Sequence, residues 1–279
     1  MMHRTLIDVA TLQANLDSPA WCVFDVRHQL ADVGYGRRAY AEGHLPGAVF
    51  LHCDDDLSGP KRGGNGRHPL PDPHTFAQKL AQCGVSANSQ VVVYDDSQGM
   101  IAGRLWWMLR WLGHEAVAVL DGGIQAWQVA GGSLTAEVPM PSPGDFCARK
   151  CGGTVDAVDV LKNLGSAELC LVDARSPDRF RGENETLDPV GGHIPGARNR
   201  FFRDNLRADG SFKPAELLRE EWRAFLGAAM PEQVVHQCGS GVSGCVNLLA
   251  MEHAGLTGSR LYPGSWSEWC ADPGRPVAR

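Results

Sequence analysis

Apolar and polar positions alternate in blocks along the chain. Short, mostly apolar runs occupy residues 21–25, 91–94 and 117–120, and again 169–173, 233–236 and 260–262. Runs of this length without a two-residue alternation predict strands buried on both faces. Between them the apolar spacing lengthens. Over residues 102–112 it puts Leu105, Met108, Leu109 and Leu112 on one face, which predicts a helix. A second helix is predicted over 246–253. Strands alternating with helices imply an α/β fold whose mainly parallel sheet is covered by helices on both faces. Ligands of such sheets bind at the carboxyl ends of the strands.

The pattern occurs twice. Phe24-Asp25-Val26-Arg27 precedes Gly43-His44-Leu45-Pro46-Gly47-Ala48, and Val172-Asp173-Ala174-Arg175 precedes Gly192-His193-Ile194-Pro195-Gly196-Ala197. Val91-Val92-Val93-Tyr94-Asp95 matches Val234-Val235-His236-Gln237-Cys238, and Gly122 with Trp127 matches Gly264 with Trp269. All three correspondences share an offset of about half the chain, so the sequence is a tandem duplication. Pro139, Pro141 and Pro143 favour extended backbone and mark a linker. The expected domains are residues 1–140 and 150–279, with the boundary near 145.

Composition narrows the function. The 279 residues are 43% apolar and 21% charged, as in an ordinary globular protein. Lys and Arg number 26 against 32 Asp and Glu, a net charge of −6. No basic surface for nucleic acid or anionic lipid is expected. No run approaches the ~18 apolar residues of a membrane helix. Met1-Met2-His3-Arg4-Thr5-Leu6-Ile7-Asp8 lacks the apolar region of a secretory signal, so a cytoplasmic protein is expected. The nine cysteines form no Cys-x-x-Cys pair and no zinc-like spacing with His. Most are expected to be reduced and buried, with one to be examined as a nucleophile.

That one is Cys238. It ends an apolar strand, and Gly239-Ser240-Gly241-Val242-Ser243 leads into a helix. A thiol aimed at a helix N-terminus meets free N–H groups and the positive end of the dipole, which favour thiolate. Gly239 and Gly241 are expected to take positive φ, so that amides turn inward as an anion nest. The matching position of the first copy is Asp95, which cannot act as a sulfur nucleophile. Chemistry at Cys238 would therefore belong to the second domain alone, with the first a non-catalytic scaffold.

The whole chain resembles the two-domain rhodanese-like sulfurtransferases. The landmarks are His44-Leu45-Pro46-Gly47-Ala48, Trp106-Trp107-Met108, Asp121-Gly122-Gly123, His193-Ile194-Pro195-Gly196-Ala197 and Gly264-Ser265-Trp266-Ser267-Glu268-Trp269. Cys238-Gly239-Ser240-Gly241-Val242-Ser243 is similar to the Cys-Gly-Ser-Gly-Val-Thr loop of the 3-mercaptopyruvate branch, and Ser243 keeps the hydroxyl. The resemblance implies a tandem pair of rhodanese-like domains. It implies sulfur transfer through a Cys238 persulfide, from 3-mercaptopyruvate or thiosulfate to cyanide, a small thiol or a thioredoxin-like protein, with no metal or organic cofactor. Backbone groups of Gly239, Gly241, Val242 and Ser243 would hold the donor, whose anion would meet Arg179. The branch often carries a further arginine where this chain has Asp188; Arg181, Arg198 or Arg200 are candidates to compensate. The branch also carries a Ser–His–Asp group, which maps to Ser240, His68 and Asp54, with Asp55 or Asp56 as alternative acids.

Other residues read as structural. His44 and His193 recur in both copies, including the one without Cys238. The Trp106/Trp107 and Trp266/Trp269 pairs read as core, Cys245 as packing, and Arg175 as the partner of a local carboxylate. Three rival functions remain. A thiosulfate-preferring enzyme usually carries Arg-Lys after its Cys, where Gly239 and Ser240 stand here. A phosphatase with a related loop needs an arginine where this chain has Gly244. A non-catalytic binding scaffold would not need Cys238.

Overall fold

The structure, a computed structural model, describes residues 2–149 and 152–279. The chain divides into two compact units. The first runs to Gly59, resumes at Leu70 through the linker and takes in Ala208–Ser211; the second comprises Pro60–Pro69, Gly153–Arg207 and Phe212–Arg279. The ten-residue segment Pro60–Pro69 thus comes from the first half of the sequence yet belongs to the second unit. Two contacts tie it there. Arg67 N–H donates to Ser267 Oγ at 3.0 Å. Gly66 (φ +82°) passes so close to Gly264 that a Cβ would lie 2.8 Å from the Gly264 carbonyl oxygen.

The first unit contains strands β1 (Leu6–Ile7), β2 (Trp21–Asp25), β3 (Val49–Phe50), β4 (Gln90–Tyr94) and β5 (Val117–Leu120). They form one sheet in the order β1-β5-β4-β2-β3, parallel throughout. Every residue of β4 and β5 is buried, as their unbroken apolar runs predict. Val23, Val92, Tyr94 and Ala118 pack with Ile124 and Trp127 in one core cluster. The helix Met100–Trp111 is buried along nearly its whole length. Past the prolines, residues 144–149 are not a free tether: Phe146 is buried and its N–H donates to Val85 O at 3.1 Å.

The second unit repeats the plan with β6 (Cys170–Asp173), β7 (Arg198–Asn199), β8 (Val234–Gln237) and β9 (Arg260–Leu261). The order is β7-β6-β8-β9, again parallel. A parallel bridge from Thr154 to Leu261 stands where β1 pairs β5 in the first unit. Leu171, Val235, Tyr262, Trp266 and Trp269 form the core on one face.

The duplication extends to individual side chains. Arg27 and Arg175 each fold back on the carboxylate two residues earlier, at 2.6 Å to Asp25 and 2.7 Å to Asp173. His44 stacks on Tyr40 and His193 on Phe180, both at 3.7 Å between ring centres. Each histidine also bonds a backbone carbonyl through Nδ1. Trp127 and Trp269 donate their indole N–H to Ser133 O and Pro276 O. These are the architectural roles expected of His44, His193, Arg175 and the tryptophans.

Candidate active site around Cys238

β8 delivers its last residue, Gln237, to the carboxyl edge of the second sheet, and Cys238 follows at the turn into the helix Gly244–His253. Backbone contacts fix the turn. Cys238 N–H donates to Ser265 Oγ at 3.1 Å, and Cys238 O and Gly239 O accept from the N–H groups of Trp266 (3.0 Å) and Ser267 (2.9 Å). Gly241 has φ +76°, and a Cβ there would lie 2.2 Å from Pro263 O, so only glycine fits. Gly239 differs from expectation: it is not among the positive-φ glycines. A Cβ there would lie 2.8 Å from Arg67 Nη2, so the end of that side chain would have to shift to admit one.

The Cys238 side chain is almost fully buried. Burial pushes its thiol up, but the Ser243 hydroxyl and the N–H groups of Ser240 and Gly244 more than offset this, so it lies below the ordinary thiol range. Cys22, Cys83 and Cys270 go the other way, with burial raising each, Cys270 to about 11. Cys245 is fully buried, its Sγ 3.5 Å from Gly241 O. Val242 is buried beside it in the loop.

The other candidates divide between the units. His68, on Pro60–Pro69, lies in the second unit with its Nδ1 2.7 Å from Ser240 Oγ, and both residues are buried. Asp54 lies in the first unit, with its Oδ2 3.7 Å from His28 Nε2. Its neighbours are committed elsewhere: Asp55 pairs with Arg37, and Asp56 pairs with Lys79 and accepts from His52 N–H. His28, His52 and Asp54 come within 4.8 Å of one another, among the described residues the one such grouping of metal-type ligands. His52 uses Nε2 on Val33 O and Nδ1 on Asp55 N–H, so both of its ring nitrogens are engaged outside the trio, which is not a converging ligand set.

Arg179 stands beside the loop. Its Nη1 and Nη2 lie 3.6 and 3.7 Å from the Cβ position of Gly239. Glu185 grips its Nε and Nη2 at 2.8–3.2 Å. None of the three proposed compensating arginines is at the loop. Arg181 pairs with Glu183 at the surface. Arg198 bonds the carbonyls of Phe225 and Leu226. Arg200 lies over Trp222 and pairs with Glu221. The second arginine at the loop is Arg67, which pairs with Asp188.

Sequence reasoning missed Arg67, and it missed Ser265. Ser265 takes φ 53°, a left-handed conformation rare for a side chain with a Cβ. Its hydroxyl donates to Tyr262 O (2.9 Å) while accepting from Cys238 N–H, so the strained residue props the backbone of Cys238. The signal was present, since aligning the two copies sets Ser265 against Gly123, which has φ +61°.

Comparison with known proteins gives the family. The rhodanese-like domain model matches residues 8–130 and 156–272. A probable 3-mercaptopyruvate sulfurtransferase of Pseudomonas aeruginosa is 47% identical over 281 residues, covering 100% of this chain and 99% of that protein. A putative thiosulfate sulfurtransferase of Mycobacterium tuberculosis is 40% identical over 264 residues, covering 92% and 90%. Among solved structures, the 3-mercaptopyruvate sulfurtransferase from Leishmania major superposes with a TM-score of 0.85 at 30% identity, covering 95% of this chain and 74% of that one. No helix among the described residues is long and apolar enough to cross a membrane. With a matching domain in each half and full-length relatives at this identity, the chain belongs to the rhodanese-like family, as one of its two-domain sulfurtransferases.

Proposed function

We propose that this enzyme takes the thiol sulfur of 3-mercaptopyruvate onto Cys238, where it becomes the sulfane sulfur of a persulfide, and passes it to a thiol or cyanide. What carries the reading is the environment of Cys238: a buried sulfur that accepts from the Ser243 hydroxyl and two loop amides, and is thereby held toward thiolate. The thiolate attacks the donor sulfur. The bond between that sulfur and carbon breaks, its electron pair stays on carbon as pyruvate enolate, and a proton completes pyruvate. Cys238 is left as a persulfide in the same ring of donors. The acceptor then attacks the outer sulfur and releases the Cys238 thiolate, which is covalent catalysis in two half-reactions.

Ser240 and His68, 2.7 Å apart, suit the proton step. Asp54 enters as their acid through the family resemblance alone. Arg179 meets the donor carboxylate beside Gly239, where its planar fork suits such a group. The amides of Gly239, Gly241, Val242 and Ser243 cradle the transferred sulfur and the donor. Only the second unit carries this chemistry, and Asp95 makes the first a scaffold. None of the eight described cysteines is in a disulfide, which suits a reducing compartment such as the cytoplasm.

The test is cyanolysis with 3-mercaptopyruvate and with thiosulfate, on wild type and Cys238→Ser, with mass spectrometry of the Cys238 peptide after donor alone. One added sulfur on that peptide, loss of thiocyanate in the variant and a higher kcat/KM for mercaptopyruvate are expected. Equal thiocyanate from both proteins would overturn the persulfide; the reverse donor ranking would assign thiosulfate instead.

A further inference from the structure

Where the 3-mercaptopyruvate branch often has a second arginine, this chain has Asp188. The polarity is not lost from the site, because Arg67 pairs with that carboxylate. Arg67 and Arg179 converge on one point, the space a Cβ of Gly239 would take, next to Cys238. From the Cβ position of Gly239, Arg67 Nη2 is 2.8 Å away and the Arg179 Nη atoms 3.6 and 3.7 Å. The carboxylates holding them lie deeper: the side chains of Asp188 and Glu185 are 3% and 4% exposed, those of Arg67 and Arg179 28% and 20%. Asp188 also reaches Arg179, at 3.5 Å. The acids thus form a buried floor that orients two guanidinium groups, and the outer ends of those groups face the loop.

We propose that Arg67 is the second cation of the donor subsite, forming with Arg179 a two-arginine clamp for a carboxylate beside Cys238, and that Asp188 is its positioning residue. The inference rests on the reading of Cys238 as the nucleophile and of the donor as a carboxylate, and adds the residue that supplies the second cation and the acid that positions it. The segment Pro60–Pro69, by joining the second unit, supplies to one site both the proton relay residue His68 and the anion-binding residue Arg67. A guanidinium fork bonds a carboxylate through two parallel N–H groups, which an ammonium cannot do.

Two alkylating agents separate this from the parent reading. Iodoacetate and iodoacetamide both place carbon on a thiolate with loss of iodide, but only iodoacetate carries a carboxylate. Rates of Cys238 modification by each, followed by peptide mass spectrometry, give a ratio that cancels thiol reactivity. Arg67→Met is expected to lower the iodoacetate-to-iodoacetamide ratio about 10-fold, with Arg67→Lys between it and wild type. Asp188→Asn, in which Arg67 remains but is loosely held, is expected to lower the ratio about 3-fold with the iodoacetamide rate unchanged. Steady-state KM for mercaptopyruvate should rise in the same order, with kcat changed less than about 3-fold. A thermal melt confirms that each variant is folded. If the ratio is unchanged in folded Arg67→Met and Arg67→Lys, the clamp is wrong while Cys238 stands. If neither reagent modifies Cys238 in the wild type, the parent reading fails and the clamp with it.

Discussion

Asp95 and Cys238 occupy the same step of the two repeats, at the turn from the central strand into the following helix, and they use its N–H groups in opposite ways. The Asp95 carboxylate accepts from Ser97 and Gly99 through Oδ1 and from Ile101 and Ala102 through Oδ2, all at 2.9–3.0 Å. Burial pushes that carboxyl up and the four amides pull against it. The first unit thus fills its anion nest with its own side chain, whereas the second presents a sulfur to it. The backbone around each is shared: Asp95 O accepts from Ile124 N–H as Cys238 O accepts from Trp266 N–H, both at 3.0 Å.

Asp95 is therefore expected to contribute stability. Asp95→Ala strands four buried amide donors at a helix start, and a buried donor without an acceptor costs about 1–3 kcal/mol. Partial access to water reduces that sum, and a loss of about 3 kcal/mol is expected, or a fall in Tm of roughly 6–12 °C. Asp95→Asn, which keeps one acceptor oxygen, should lose about half as much. A melt indistinguishable from wild type in Asp95→Ala would show that these bonds contribute nothing net.

In the second unit the sulfur relies on a hydroxyl. Ser243→Ala removes the foremost of the donors that hold Cys238 toward thiolate. A hydrogen bond to a charged group is worth about 1.5–3 kcal/mol, and one pKa unit corresponds to about 1.4 kcal/mol. The midpoint of iodoacetamide alkylation against pH should therefore rise by about one to two units. Ser243→Thr should restore the wild-type profile. A midpoint that stays put would mean that the amides of Ser240 and Gly244 suffice.

Legibility in the sequence followed the range of the interaction. The strands over 21–25 and 117–120 were readable to the residue because their burial makes them continuous apolar runs. β3 and β7 were not, since two residues carry no period, and each is a strand only by pairing with its neighbour. Cys238, Asp95 and the loop were readable because strand, glycines and helix are adjacent in the chain. Arg67 was not, because its meaning depends on Pro60–Pro69 crossing to the second unit. Arg181, Arg198 and Arg200 are closer in sequence to Asp188, yet each is drawn away by a partner of its own. Gly239 was expected to take positive φ and does not; what lies near its Cβ position is two guanidinium groups that no local pattern announces.

The hydrogen bond between His68 and Ser240 predicts a donor-dependent effect. Mercaptopyruvate leaves as a carbon base that must be protonated, whereas thiosulfate leaves as sulfite, which needs no proton on carbon. General acid catalysis contributes typically ~10²–10⁴-fold. Ser240→Ala and His68→Gln should lower kcat for mercaptopyruvate about 100-fold and change thiosulfate turnover less than about 3-fold. Equal losses with both donors would assign the pair to loop structure instead of proton transfer.

His236 predicts the response of the fold to acid. It sits in β8, fully buried, its ring edge-on to Trp222 at 5.7 Å between centres, and neither ring nitrogen has a hydrogen-bond partner. Burial pushes it down to about 3 from an ordinary 6.5, so it folds as the neutral imidazole. Since the unfolded chain binds the proton more readily, this residue's contribution is complete above pH 6.5 and declines as pH falls from 6.5 toward 3. At about 1.4 kcal/mol per unit, the loss reaches about 2 kcal/mol by pH 5. His236→Phe, which keeps an apolar ring against Trp222, should lose about 2 kcal/mol less than wild type between pH 7 and pH 5 in urea unfolding. Parallel losses in the two proteins over that interval would place the acid sensitivity in the carboxylates instead.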